Sequence, residues 1–212
     1  MTRVKICGIT NIEDALKAQF LGADELGFNF YENSPRYIAP DMAAEIIAGL
    51  SSEIAKVGVF VNASAESILE IVAIAGLDSI QIHGDEEPGF VRHLRSLTDK
   101  LIIKAMRAKP DLEVDDAVKF DANAILIDSY FAGEYGGSGR TFDWEIAGAI
   151  AGLVERVYLA GGLTPENVSE AIQTVNPYAV DVASGVESSP GKKDPARVEE
   201  FIRAVKTTAF SN

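Results

Sequence analysis

The chain has 212 residues, 47% of them hydrophobic and 24% charged, enough apolar material to bury a full core within one large domain, read as 1–212. Thirty-two Asp and Glu against nineteen Lys and Arg leave a formal charge of −13, which argues against nucleic acid or an anionic membrane as main partner, because both require a cationic footprint. One cysteine excludes an intramolecular disulfide, and Cys7, His83 and His93 are too few for a structural zinc site; with no signal peptide and no apolar run of about 18 residues, the composition reads as a soluble, cytoplasmic protein.

Taken in chain order, short β-branched runs occupy 4–7, 25–30, 56–61, 79–83, 101–106, 124–128, 156–160 and 179–183. Segments of helical spacing lie between and after them. Ile12, Ala15, Leu16 and Phe20 mark the first, Ala43, Ile46, Ile47 and Leu50 the second, and Ile68, Ile71 and Val72 the third. The fourth covers 90–97, a weak one lies near 114–120, and the rest cover 144–153, 168–175 and 198–205. Asn11, Ser64, Thr164 and Asp194 stand where helix caps belong, the last two followed by proline. Eight strands alternating with eight helical segments at βα-unit spacing, with no linker composition between them, predict a single-domain α/β fold, the (β/α)8 TIM barrel. A doubly wound open sheet is the alternative. It lacks its nucleotide signature here, since Cys7-Gly8-Ile9-Thr10 is not G-x-G-x-x-G.

Barrel enzymes place chemistry at the C-terminal ends of their strands, so polar residues there are informative. Side chains alternate along a strand, which puts Lys5 with Cys7, Gln81 with His83, Leu126 with Asp128, and Asp181 with Ala183 on the faces opposite their apolar neighbours. These faces converge on the barrel axis and offer a thiol, an imidazole, an amide and carboxylates for proton transfer. Each residue also has a plainer reading. Cys7 serves equally as a small buried hydrophobe, Asp128 as an acceptor for loop amides, His83 as a core or loop anchor, and Lys5 as a buried ion-pair partner of Asp181. Cys7 closes a strand just before a capped helix, a setting expected to lower a thiol pKa.

The last two strand-end loops contain Gly161-Gly162-Leu163-Thr164-Pro165-Glu166-Asn167 and Ser184-Gly185-Val186-Glu187. Glycines allow backbone amides to approach an oxyanion, helix starts add partial positive charge, and these loops are where barrels often hold phosphate. The loop at 31–37 offers Arg36, a guanidinium able to fork onto a carboxylate. The loop at 135–140 carries glycines enough to cover a ligand and lacks the G-K-[ST] of a nucleotide loop.

The ordered set Lys5-Ile6-Cys7-Gly8-Ile9-Thr10, Gly27-Phe28-Asn29-Phe30-Tyr31, Ser34-Pro35-Arg36-Tyr37, Gln81-Ile82-His83-Gly84, Gly136-Gly137-Ser138-Gly139 with Phe142-Asp143-Trp144, Gly161-Gly162-Leu163-Thr164-Pro165-Glu166-Asn167-Val168 and Asp181-Val182-Ala183-Ser184-Gly185-Val186-Glu187 resembles the phosphoribosylanthranilate isomerases of tryptophan biosynthesis. The resemblance runs from the first strand to the last loop. Asn29, in an otherwise apolar strand, is a small departure. The resemblance implies an Amadori rearrangement of N-(5-phosphoribosyl)anthranilate to 1-(2-carboxyphenylamino)-1-deoxyribulose 5-phosphate, with no metal or organic cofactor. It implies Asp128 as general acid at the furanose oxygen and Cys7 as general base at C2′. It also implies Arg36 on the anthranilate carboxylate, with Gln81 and His83 in the pocket wall. Gly161, Gly162, Ser184 and Gly185 are the implied phosphate contacts, with Asp181 beside them.

A small-molecule substrate is then the expected partner, and the chain itself a monomer or homodimer. Two other readings compete. A histidine-pathway aminoimidazole carboxamide ribonucleotide isomerase shares this fold but works with carboxylates, against Cys7; a noncatalytic phosphate-binding barrel would have no use for both Cys7 and Asp128.

Overall fold

The computed structural model describes residues 1–109, 111–129 and 144–208. The glycine loop at 135–140 and the Phe142-Asp143 pair lie outside them. Eight parallel strands close into a barrel in sequence order: β1 (Arg3–Cys7), β2 (Glu25–Asn29), β3 (Ala55–Phe60), β4 (Ser79–Ile82), β5 (Leu101–Ala108), β6 (Ala124–Ser129), β7 (Val157–Leu159) and β8 (Ala179–Val182). Closure is direct, with Lys5 of β1 partnered by Glu25 on one side and Asp181 of β8 on the other. The helices are α1 (Ile12–Leu21), α2 (Pro40–Ala48), α3 (Ala65–Ala75), α4 (Pro88–Leu97), α5 (Glu145–Ala151), α6 (Val168–Val175) and α7 (Pro195–Thr208). None among the described residues is long and apolar enough to cross a membrane.

The strands bury both faces, and their parity sorts the core into two bodies. Val4, Ile6, Leu26, Phe28, Ile80, Ile82, Ile125, Ile127, Val180 and Val182 point outward beneath helical residues such as Ile68, Leu94, Ala171 and Phe201, all of them buried. Each large apolar side chain buried there contributes roughly 1.5–3 kcal/mol relative to exposure. Val57, Ile103, Ala105, Leu126, Tyr158 and Ala179 fill the barrel interior as a separate cluster. Polar residues of the same parity complete that interior. Tyr158 donates its hydroxyl to Glu25 at 3.0 Å, and Lys5 Nζ meets Asp181 Oδ2 at 2.9 Å, as the sequence suggested for that pair.

Local signals account for most helix ends. Asn11 Oδ1 accepts from Asp14 N at 2.9 Å, Ser64 Oγ from Ser67 N at 3.2 Å, and Asp194 Oδ1 from Ala196 N at 2.9 Å. Thr164 departs from expectation. Its hydroxyl accepts from Glu166 N at 3.3 Å in a turn, and α6 starts only at Val168, because Asn167 Oδ1 takes the Thr164 amide at 2.8 Å and closes an extra turn first. After β5 the weak segment forms a 3-10 helix, Val114–Lys119, instead of an α-helix. The unexpected element follows β8: a 3-10 turn, Ser184–Val186, and then an antiparallel hairpin of β9 (Glu187–Ser189) and β10 (Lys192–Lys193).

Candidate active site

The strand ends open onto a cavity of about 490 Å³ whose wall includes Cys7, Arg36, Gln81, His83, Asp128 and Asp181, together with Gly161, Gly162, Ser184 and Gly185. That volume suits a small organic ligand. Ten of the residues singled out in the sequence therefore line one space, while Lys5 stays beneath it, paired with Asp181. Its wall also contains Asn29, whose Oδ1 accepts from Tyr31 N at 2.9 Å while Nδ2 donates to Ser34 Oγ at 3.1 Å. The polar residue that looked out of place in β2 shapes the loop carrying Arg36.

Parity builds the first half of the site. Gln81 and His83 project from the same side of the β4 line, so Gln81 Nε2 reaches His83 Nδ1 at 2.8 Å. Across the barrel, His83 Nε2 lies 3.2 Å from Asp128 Oδ2. Where the amide donates to Nδ1, the tautomer with its proton on Nε2 directs that proton at Asp128 Oδ2 and leaves the other oxygen of the carboxyl group to carry an acidic proton. The result is a Gln81–His83–Asp128 relay in which Asp128 is 3% exposed and edges the cavity. Two acceptors are left over: Gln81 Oε1 and Asp181 Oδ1 are buried and have no donor among the described residues. Most buried polar atoms in folded proteins are paired, so two open acceptors at one cavity could receive donors from a ligand.

Cys7 ends β1 with its thiol toward the cavity, and Gly27 of β2 makes the room. A side chain begun at Gly27 would stand 2.7 Å from the Cys7 sulfur. The expected lowering of the thiol pKa is not what the surroundings produce. Burial is the largest influence and pushes the thiol up; Lys5 and Lys193 oppose it, Asp181 adds to it, and the net direction is upward. The physical reason is position: α1 begins at Ile12, beyond the turn through Gly8 and Thr10, and its first turn carries Glu13 and Asp14. Beside the thiol, burial alone would depress the Lys5 ammonium, but Asp181 outweighs it and holds Lys5 firmly charged.

Arg36 forks, as its residue type suggests, but onto a protein carboxylate. Its Nε lies 2.8 Å from Glu187 Oε1 and its Nη2 2.7 Å from Glu187 Oε2. Burial alone would lower the guanidinium, and Glu187 reverses the sign. A guanidinium has five N–H donors, so this bidentate grip leaves others available to a ligand. Glu187 was legible only as the end of the β8 motif and Lys193 not at all. The one relevant signal, the Ser189-Pro190-Gly191 turn, marks a hairpin without showing where it packs.

The two glycine loops meet at the far wall. Gly161 and Gly162 take the left-handed φ values +81° and +66°, and a Cβ on Gly185 would clash with the Leu163 carbonyl oxygen. Among the described residues, the amides of Gly162, Ser184 and Gly185 donate to no acceptor within the fold. The helix starts expected behind them are displaced: α6 begins at Val168, and only a three-residue 3-10 turn follows β8. An anion here would rely on backbone amides more than on helix dipoles. Gly185→Ala is expected to cost about 1–3 kcal/mol by overpacking against a backbone atom and to raise KM for a phosphorylated substrate; an unchanged melting temperature and KM would show that the loops do not pack this way. No group of His, Cys, Asp and Glu suited to a metal ion occurs among the described residues.

Comparison with known proteins gives a consistent result. Residues 4–204 match the family model described as N-(5'phosphoribosyl)anthranilate (PRA) isomerase. The chain is similar to the N-(5'-phosphoribosyl)anthranilate isomerase of Geobacter metallireducens, 49% identical over 206 residues that cover 97% of this chain and all of the relative. Among solved structures it is similar to phosphoribosyl anthranilate isomerase from Thermotoga maritima, with TM-score 0.89 and 43% identity over 98% of this chain and 100% of that one. A further structure of a phosphoribosyl anthranilate isomerase, in complex with reduced 1-(o-carboxyphenylamino)-1-deoxyribulose 5-phosphate, matches with TM-score 0.86 and 40% identity over 98% of this chain and 100% of that one.

Proposed function

The chain belongs to the N-(5'-phosphoribosyl)anthranilate isomerase family, and from that premise we propose that Asp128 and Cys7 supply the acid and the base of its reaction. The enzyme is an isomerase that turns N-(5-phosphoribosyl)anthranilate into 1-(2-carboxyphenylamino)-1-deoxyribulose 5-phosphate. In this reading a proton from Asp128 goes to the furanose ring oxygen, the C1′–O bond breaks, and the anilino nitrogen lone pair forms a protonated imine. The Cys7 thiolate takes the C2′ proton; the electron pair left behind forms the C1′–C2′ double bond of an enolamine, which tautomerises to the ketone. The observation that carries this assignment is that the His83–Asp128 pair, at the ends of β4 and β6, and the Cys7 thiol, at the end of β1, line the same cavity from different strands. Acid and base approach from different sides, as two proton transfers at different atoms of one substrate require.

The rest of the wall sorts by charge. The unengaged amides at Gly162, Ser184 and Gly185 suit the phosphate, with Gly161 shaping their turn, and the remaining donors of Arg36 suit the anthranilate carboxylate. Asp181 fits poorly as a phosphate contact, since a carboxylate repels it. Its unpartnered Oδ1, like Gln81 Oε1, suits a ribose hydroxyl or the anilino N–H. Because these contacts are local, an enzyme of net charge −13 can hold a substrate with two anionic groups.

The direct test supplies freshly generated phosphoribosylanthranilate, traps released anthranilate, and follows protein-dependent loss of substrate fluorescence. Acceleration over the buffer blank is expected; its absence overturns the assignment. Within that assay Arg36→Ala raises KM by about tenfold or more, the scale of a lost charge-assisted hydrogen bond, and changes kcat far less. An unchanged KM would remove Arg36 from the carboxylate site.

A further inference from the structure

The hairpin after β8 brings two side chains to the mouth for which the reaction as described has no role. Lys193, on β10, has a side chain only 2% exposed. Its Nζ donates to the Cys7 carbonyl at 2.6 Å, to Glu187 Oε1 at 2.8 Å and to the Ala183 carbonyl at 3.2 Å. Three acceptors use the full donor set of an ammonium, one more than a neutral amine possesses. The Lys193 amide is itself fixed to Asp14 Oδ2 at 2.8 Å, which anchors the hairpin on α1. Glu187, on β9, then takes both Arg36 bonds on the same carboxylate. Burial works against that carboxylate, but Arg36 and Lys193 together hold it below the usual range.

The chain Cys7 carbonyl–Lys193–Glu187–Arg36 therefore links the backbone of the proposed base to the proposed carboxylate holder. Buried ion pairs contribute little net stability compared with apolar packing of the same volume, and their best-attested use is to fix one arrangement. The charged groups around the Cys7 thiol are Lys5 from β1, Asp181 from β8, Lys193 from β10 and Arg36 from the β2–α2 loop, with Glu187 of β9 paired to the last two. Of the cations, Lys5 is committed to Asp181. Lys193 and Arg36 share a single carboxylate, so together they carry one surplus positive charge facing the thiol.

We propose that Glu187 and Lys193 are positioning residues for the isomerisation: Lys193 clamps the ends of β1 and β8 and sets a cation beside the Cys7 sulfur, while Glu187 locks Arg36 in one bidentate pose and limits the positive charge at the thiol. The proposal rests on Cys7 as base and Arg36 as carboxylate holder, and it assigns the hairpin to both ends of the substrate at once.

Cys7 is the only cysteine, so iodoacetamide alkylation of the whole protein reads this thiol alone. Lys193→Met moves the alkylation midpoint to higher pH, with about tenfold slower reaction at pH 7, the size expected for losing a near cation. Glu187→Gln moves it to lower pH, because the Arg36 guanidinium is then uncompensated, and raises KM several-fold more than it lowers kcat. Lys193→Arg restores most of the wild-type midpoint. Opposite displacements from the two variants are the signature, since a hairpin that merely braced the loop would shift both alike or neither. Thermal melting checks folding, and if Lys193→Met does not fold, Lys193→Arg and Glu187→Gln, which keep polar groups in place, still decide. Unchanged midpoints in folded variants overturn the proposal. A midpoint that moves while the pH profile of kcat stays put upholds the effect on the thiol and instead overturns Cys7 as the base.

Discussion

Asp128→Asn lowers kcat by about 10²–10⁴-fold, the usual worth of a positioned acid, while the protein folds as before and KM changes little. The substitution is nearly isosteric in a site that is 3% exposed, and the amide oxygen can still accept from His83 Nε2 at the 3.2 Å separation that Asp128 Oδ2 now occupies. What it removes is a transferable proton. Steady-state fluorescence kinetics at saturating substrate measure the loss directly. The relay supplies its own control, because His83→Gln keeps a polar group beside Asp128 but ends the Gln81–His83–Asp128 chain. A smaller loss is expected there, since in the proposed reaction His83 only orients the acid. If Asp128→Asn retains most of its turnover and His83→Gln does not, the imidazole is the proton source and Asp128 its orienting partner.

The sequence and structure agree where periodicity and parity decide. Ile80-Gln81-Ile82-His83 and Ile125-Leu126-Ile127-Asp128 alternate so regularly that their polar members had one side to occupy, and the closed barrel turns that side inward. Parity brings Cys7, Gln81, His83, Asp128 and Asp181 to the cavity, and Arg36 with Gly161, Gly162, Ser184 and Gly185 reaches it from the loops at the strand ends. Three features were not legible, each because a partner distant in sequence decides it. Arg36 meets Glu187 across 151 positions, and no local pattern announces that its fork is already engaged. Lys193 reaches the Cys7 carbonyl across 186 positions from a two-residue strand too short to carry periodicity. The thiol of Cys7 responds to burial between Gly27, Lys5 and Asp181 more than to the helix start, a balance that depends on packing and not on residue order.

Cys7→Ala is expected to lose about 10²–10⁴-fold in kcat and, more tellingly, to lose the pH dependence that the thiol imposes. The sign follows from the surroundings. Burial raises the thiol above its ordinary range, and Lys5 and Lys193 only partly oppose this, so for Cys7 as the proposed base the active thiolate grows as pH rises. A base must be deprotonated to act. The wild-type rate therefore climbs as pH rises from neutral toward the raised thiol pKa and falls on acidification. Alanine leaves the backbone contacts of Cys7 intact, including the carbonyl held by Lys193 at 2.6 Å, so a loss of rate in that variant belongs to the sulfur and not to a displaced strand end. The measurement is a kcat/KM profile from pH 6 to 9 on both proteins, with substrate decomposition subtracted at each pH. An alanine variant that keeps the alkaline climb would assign it to another group facing the cavity and remove Cys7 from the proton transfer. A flat residual rate fixes the base on β1, opposite the acid on β6, with the substrate's two reacting centres held between them.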